Sequence, residues 1–154
     1  MRYEWGGRGV LLRDGEPVGR AAKAFWRERA TVTTDEGTWS FRAHGHKRIV
    51  STGPDGAERV AAACSGWLSP VWTVDGEAAT YRVRRGSLFA SRLVVDRDGG
   101  AIGGLTSAGW ATDRPALDVG PDVPLVDVVL LLWVGYVARQ RASSEAAAAT
   151  TAAT

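Results

Sequence analysis

Two clusters of basic residues carry the charge chemistry of this chain. Arg82, Arg84 and Arg85 lie within one short segment, and Arg42, His44, His46, Lys47 and Arg48 lie within another, with Arg27 and Arg29 a little upstream. A Lys or Arg beside an anionic surface is worth about 1 kcal/mol, so several acting together could dock a domain reversibly. The same residues also suit the exposed face of a solvated protein, where arginine keeps the surface soluble. His44 and His46, spaced i, i+2, would share one strand face and could begin a metal site, but no nearby Cys or His supplies a third ligand. They read more simply as surface histidines around Gly45.

The remaining reactive residues form no catalytic constellation. Asp96-Arg97-Asp98-Gly99 opens like a calcium loop, but Gly100-Ala101-Ile102 follows where further acidic ligands are needed, so a hairpin turn is the better reading. The glycines from 99 to 104 match neither phosphate-binding pattern and are followed by no helix. They suit a turn and a bulge. Cys64, the single cysteine, follows three alanines and reads as a core residue. It excludes an internal disulfide and fits a reducing compartment. Asp113, Asp118 and Asp122 fall among Pro115, Pro121 and Pro124, in a loop-like connection. No nucleophile elbow or zinc-protease motif is present, so the expectation is a non-enzymatic protein without a cofactor or a metal.

The elements that position these residues follow from turn chemistry. Asp-Gly or Glu-Gly pairs begin at residues 14, 36, 55, 75 and 98, at intervals of 22, 19, 20 and 23 residues. An acidic-Gly pair between apolar runs is a strong hairpin signal, and each interval is one hairpin long. The flanks agree. In TWSFRAH, Trp39 and Phe41 share one face opposite Ser40 and Arg42, and in TYRVRR, Tyr81 and Val83 oppose Thr80, Arg82 and Arg84. The count is eleven or twelve short strands.

Residues 123–138, VPLVDVVLLLWVGYVA, then break the pattern, being apolar on every side from Val128 onward. A helix there has no solvent face and must be buried, in its own fold or in a bilayer. A spanning helix needs about 20 apolar residues, whereas the uninterrupted run at 128–138 has the length of a core helix. Pro124 and Asp127 suit its start, and Arg139 and Arg141 its end. Residues 142–154 hold no large apolar side chain and read as a disordered tail.

The whole therefore predicts a mainly β single domain over residues 1–141: a closed antiparallel barrel of about twelve strands around a central hydrophobic helix at about 123–139. Closure removes exposed strand edges, and a ring of that size is wide enough to hold a helix. The seven tryptophans suit such a wall.

With its successive hairpins turning on Asp-Gly, the phrasing of VLLRDGEPVGRA and VWTVDGEAATYRV, and its final apolar helix, the chain resembles the tubby C-terminal-like superfamily. That superfamily includes the tubby domain, the plant LURP-one-related proteins and the phospholipid scramblases, and the likeness is greatest to its short bacterial members. The resemblance covers roughly residues 8–141 and rests on architecture. It implies a barrel filled by its own helix, with function on the outer wall or the rims, and docking to anionic phospholipid head groups through basic surface residues, for which the candidates in this chain's own basic clusters are Arg42, Lys47, Arg48, Arg82, Arg84 and Arg85. No binding motif of the family maps onto these positions. Neither a calcium-binding segment nor a cysteine-rich stretch of the scramblase kind is recognisable.

The net charge of +2 and the isoelectric point of about 9.0 are too mild to imply nucleic acid. The first residues contain no apolar core of signal-peptide length. The sequence thus predicts a cytoplasmic protein, peripheral at a membrane. The alternative is a structural or protein-interaction domain with no lipid role.

Overall fold

The structure, a computed structural model, describes residues 1–22, 29–87, 91–107 and 114–153. Twelve strands form one closed antiparallel barrel: β1 (Arg2–Trp5), β2 (Val10–Arg13), β3 (Glu16–Ala21), β4 (Arg29–Thr34), β5 (Gly37–His44), β6 (Arg48–Thr52), β7 (Glu58–Ser65), β8 (Val71–Asp75), β9 (Thr80–Arg85), β10 (Leu93–Arg97), β11 (Gly100–Ser107) and β12 (Pro115–Val119). Each strand pairs with its neighbours in sequence, and β1 closes the ring against β12. The helix α1 (Leu125–Ala152) follows.

Every expected acidic-Gly pair sits at or beside a hairpin connection. Asp14-Gly15 and Asp98-Gly99 are two-residue turns with φ of 50° and 89°, and of 53° and 80°. Positive φ at both central positions is what a turn matched to strand twist requires. In the second hairpin the two-residue loop is Asp35-Glu36, one position earlier than the sequence suggests, and Gly37 opens β5. Asp55-Gly56 and Asp75-Gly76 fall at the longer β6–β7 and β8–β9 connections. Register shifts at Leu11/Leu12, Ile49/Val50 and Val95/Asp96 mark bulges, which add local twist to the wall.

The alternation read from the sequence points as expected. Trp39, Phe41, Tyr81 and Val83 are buried toward the helix, while Thr80 and Arg82 face solvent. The strand β1 is not legible as one from its turn signals. Its Tyr3 and Trp5 are buried, and Tyr3 stands opposite Leu117 on one side and Arg13 on the other.

Residues 128–137 of α1 are all buried inside the barrel, and this explains why the segment has no polar face. Trp133 is fully buried and stacks on Phe41 of β5, with ring centroids 6.1 Å apart. No described helix is long and apolar enough to cross a membrane. The helix does not stop near residue 139. It continues through the segment read as a disordered tail, exposed from residue 143 onward, because alanine is the best helix former and neither Gly nor Pro interrupts the run.

Candidate anionic-surface docking site

In a ring of antiparallel strands taken in sequence order, successive connections alternate between the two ends of the barrel. The β2–β3, β4–β5, β6–β7, β8–β9 and β10–β11 turns therefore share one rim, together with the start of α1. Each of them brings acid: Asp14, Asp35 with Glu36, Asp55, Asp75 with Glu77, and Asp98. Asp122, between β12 and α1, adds to this acidic rim.

The other rim gathers the β1–β2, β3–β4, β5–β6, β7–β8, β9–β10 and β11–β12 connections and the point where α1 leaves the barrel. None of its described connecting residues is a carboxylate. Arg8, Lys47, Arg92 and Arg114 lie in these connections, and Arg29, Arg48 and Arg85 sit at the adjoining strand ends. Among the described residues the charge is thus polarised along the barrel axis, although the net charge of the chain is small.

The helix exit is fastened to this basic rim. Arg141 donates to the backbone carbonyls of Gly45, at 3.1 Å, and His46, and its guanidinium lies over the Trp72 ring at 5.0 Å. Such a contact is favoured by the negative face of the indole. Burial pulls the Arg141 guanidinium below its ordinary value, but it stays charged because arginine starts so high. Arg139 donates to the Ser107 hydroxyl and to the Leu105 carbonyl at 3.4 Å. Both residues therefore tie the helix to the wall, beyond the charge-to-dipole role that the sequence suggests.

The six expected site residues fall into three groups. Lys47, Arg48 and Arg85 lie at the basic rim, exposed, and make no ion pair with a described residue. Arg42 is bonded to Glu58 at 2.8 Å, and Arg84 forks onto Asp96 at 2.5 and 3.2 Å, so a carboxylate neutralises each. Asp96 is 6% exposed, buried on the outer wall beneath that ion pair. Arg82 is exposed midway along β9, opposite Asp96 in register. Arg29 stands directly across from Arg42. Arg27 and Asp113 lie outside the described residues.

The weaker motifs take ordinary structural roles. His44 ends β5 and His46 lies in the following turn, and no three potential ligands cluster among the described residues. Asp98 forms its hairpin turn. Asp118 pairs with Arg2 at 3.0 Å, and Asp122 pairs with Arg97. Cys64 packs against the core, and burial pushes its thiol up, away from the reactive thiolate.

Two features of the basic rim escape a reading by local cluster. Its cations come from connections far apart in sequence, which only the closed ring brings together. Trp67 and Leu68, at the tip of the β7–β8 loop, are 86% and 84% exposed. Their signal was the Gly66 and Pro70 that bracket them, marking a turn that carries large apolar residues where polar ones are usual.

Comparison of the chain with protein-family models, curated proteins and solved structures gives no match.

Proposed function

We propose that this protein is a non-enzymatic binding module that docks, through its basic rim, to membrane surfaces rich in anionic lipid head groups. The observation that carries this reading is the partition of charge among the described residues: carboxylates crowd the turns at one end, and Lys and Arg ring the other. A flat anionic surface meets one rim of a barrel and not its whole wall. Oriented docking therefore needs cations grouped by end, as Lys47, Arg48, Arg85, Arg92 and Arg114 are. At about 1 kcal/mol each near an anionic leaflet, such a group suffices for reversible association. The acidic rim, held at the far end of the barrel, lies beyond a Debye length of about 8 to 10 Å and opposes this docking little.

Within the same proposal the chain is a tubby-like barrel, cytoplasmic and peripheral at the membrane. That likeness rests on the twelve-stranded ring closed around a helix. Of the candidates from the basic clusters, Lys47, Arg48 and Arg85 are the docking residues, while Arg42 and Arg84 serve the wall through Glu58 and Asp96.

Co-sedimentation with neutral and with anionic vesicles across a salt series tests the reading. Binding to anionic vesicles alone, weakening as salt rises, is expected. A folded protein that binds neither kind of vesicle would overturn it and favour a protein partner.

A further inference from the structure

We propose that the loop at 66–70 is a membrane-inserting wedge: Trp67 and Leu68 enter the interfacial layer of an anionic bilayer once the surrounding cations have brought the basic rim down onto it. The inference rests on the docking assigned above and adds to it an apolar anchor and a defined orientation.

The loop is built to present these two side chains. Gly66 has φ of 84°, and a Cβ there would lie 2.7 Å from the Ser69 carbonyl oxygen, so the chain folds back tightly on itself directly after β7. Only glycine takes that conformation without strain. Pro70 fixes the backbone again just before β8. A tight loop cannot fold its apolar pair back onto the barrel wall, and Trp67 and Leu68 are left 86% and 84% exposed.

The position of the loop decides what would cover it. Around the ring the β7–β8 connection stands between the β5–β6 connection, with Lys47 beside Arg48, and the β9–β10 connection, with Arg85 and Arg92 at its ends. Each neighbouring connection is two strand spacings away, about 10 Å. An apolar tip flanked on both sides by cations matches the layered chemistry of a bilayer surface, phosphates outside and acyl chains beneath, and tryptophan is favoured at that boundary. Among the described residues the adjacent connections carry Gly45, His46, Lys47, Gly86, Ser87, Ser91 and Arg92, and the two side chains of this tip make a poor core for a protein interface, which takes about 800 Å² from each partner.

The test uses the full chain, vesicles that mix phosphatidylserine with phosphatidylcholine, and the same mixture carrying brominated acyl chains, which quench nearby indoles. The Trp67→Ala/Leu68→Ala variant is expected to keep the urea midpoint of the wild type, because both side chains are exposed, and to bind these vesicles about tenfold more weakly or worse. Bromolipid quenching of tryptophan emission in the bound wild type is expected to weaken clearly in Trp67→Phe, which leaves the other six tryptophans in place. Undiminished binding of the double variant, or quenching unchanged in Trp67→Phe, would overturn the wedge and leave the docking by cations standing. If the wild type binds neither mixture, the docking itself fails, and the wedge with it.

Discussion

The hydroxyl of Tyr81, buried near the start of β9, donates to the Asp127 carboxylate at 2.8 Å and so ties β9 to the first turn of the central helix. Asp127 is 1% exposed, and its two oxygens also accept the backbone N–H groups of Glu77, at 2.6 Å, and Ala78, at 3.1 Å. One buried carboxylate thus seats the β8–β9 turn on the helix. Gly76 makes room for it: a Cβ there would lie 2.6 Å from the carboxylate carbon. Asp127 near the helix start is legible from sequence as a partner for the helix dipole, but its role as the acceptor for three donors is not, since Glu77 lies 50 residues away in the chain.

Asp127→Ala leaves three donors without their acceptor inside the barrel mouth. A loss of about 3 kcal/mol or more in urea unfolding is expected, against about 1 to 3 kcal/mol for Tyr81→Phe, which removes one donor and keeps the other two bonds. Equal and negligible effects of the two substitutions would contradict the latch.

Burial, and then the bond to Asp127, raise the Tyr81 phenol above its ordinary value near 10. The folded state therefore holds this proton more tightly than the unfolded chain. The corresponding stability is fully present below about pH 10 and drains away as pH climbs from there toward the raised value. Unfolding free energies measured between pH 8 and 11 should fall at the alkaline end for the wild type and fall less steeply for Tyr81→Phe.

Trp133 fills the centre of the barrel against Phe41, at 0% exposure. Trp133→Ala should cost about 3 to 5 kcal/mol in chemical denaturation. Leu131→Asp, which buries a charge with no partner, should prevent folding altogether. A soluble, well-folded Leu131→Asp protein would show that the helix is not the core.

Most of the fold is legible because it is written in local chemistry. Acidic-Gly pairs mark the hairpins, period-2 alternation orients strands such as β5 and β9, and a run such as VVLLLWVGYV has no solvent face and is too short to span a bilayer comfortably. The strand β1 is harder to read, since its partners β2 and β12 supply the pairing and no turn signal precedes it. The helical stretch beyond residue 141 follows from alanine propensity with no anchoring side chain, a pattern that by composition reads equally as disorder. The site is less legible than the fold. Lys47, Arg48 and Arg85 stand out as local clusters, but neither the carboxylates that neutralise Arg42 and Arg84 nor the company of Arg92, Arg114, Trp67 and Leu68 can be read without the ring. Barrel closure turns residues scattered along the sequence into one rim.

The central claim is oriented docking by one rim, and a charge-matched pair of variants tests it most directly. Arg48→Glu at the basic rim and Arg13→Glu at the opposite rim change the net charge equally, and both side chains are exposed. In co-sedimentation with phosphatidylserine-containing vesicles at low salt, Arg48→Glu should weaken binding about tenfold or more, while Arg13→Glu should leave it within about twofold of the wild type. Equal losses in the two variants would mean that only net charge matters, and would contradict the account.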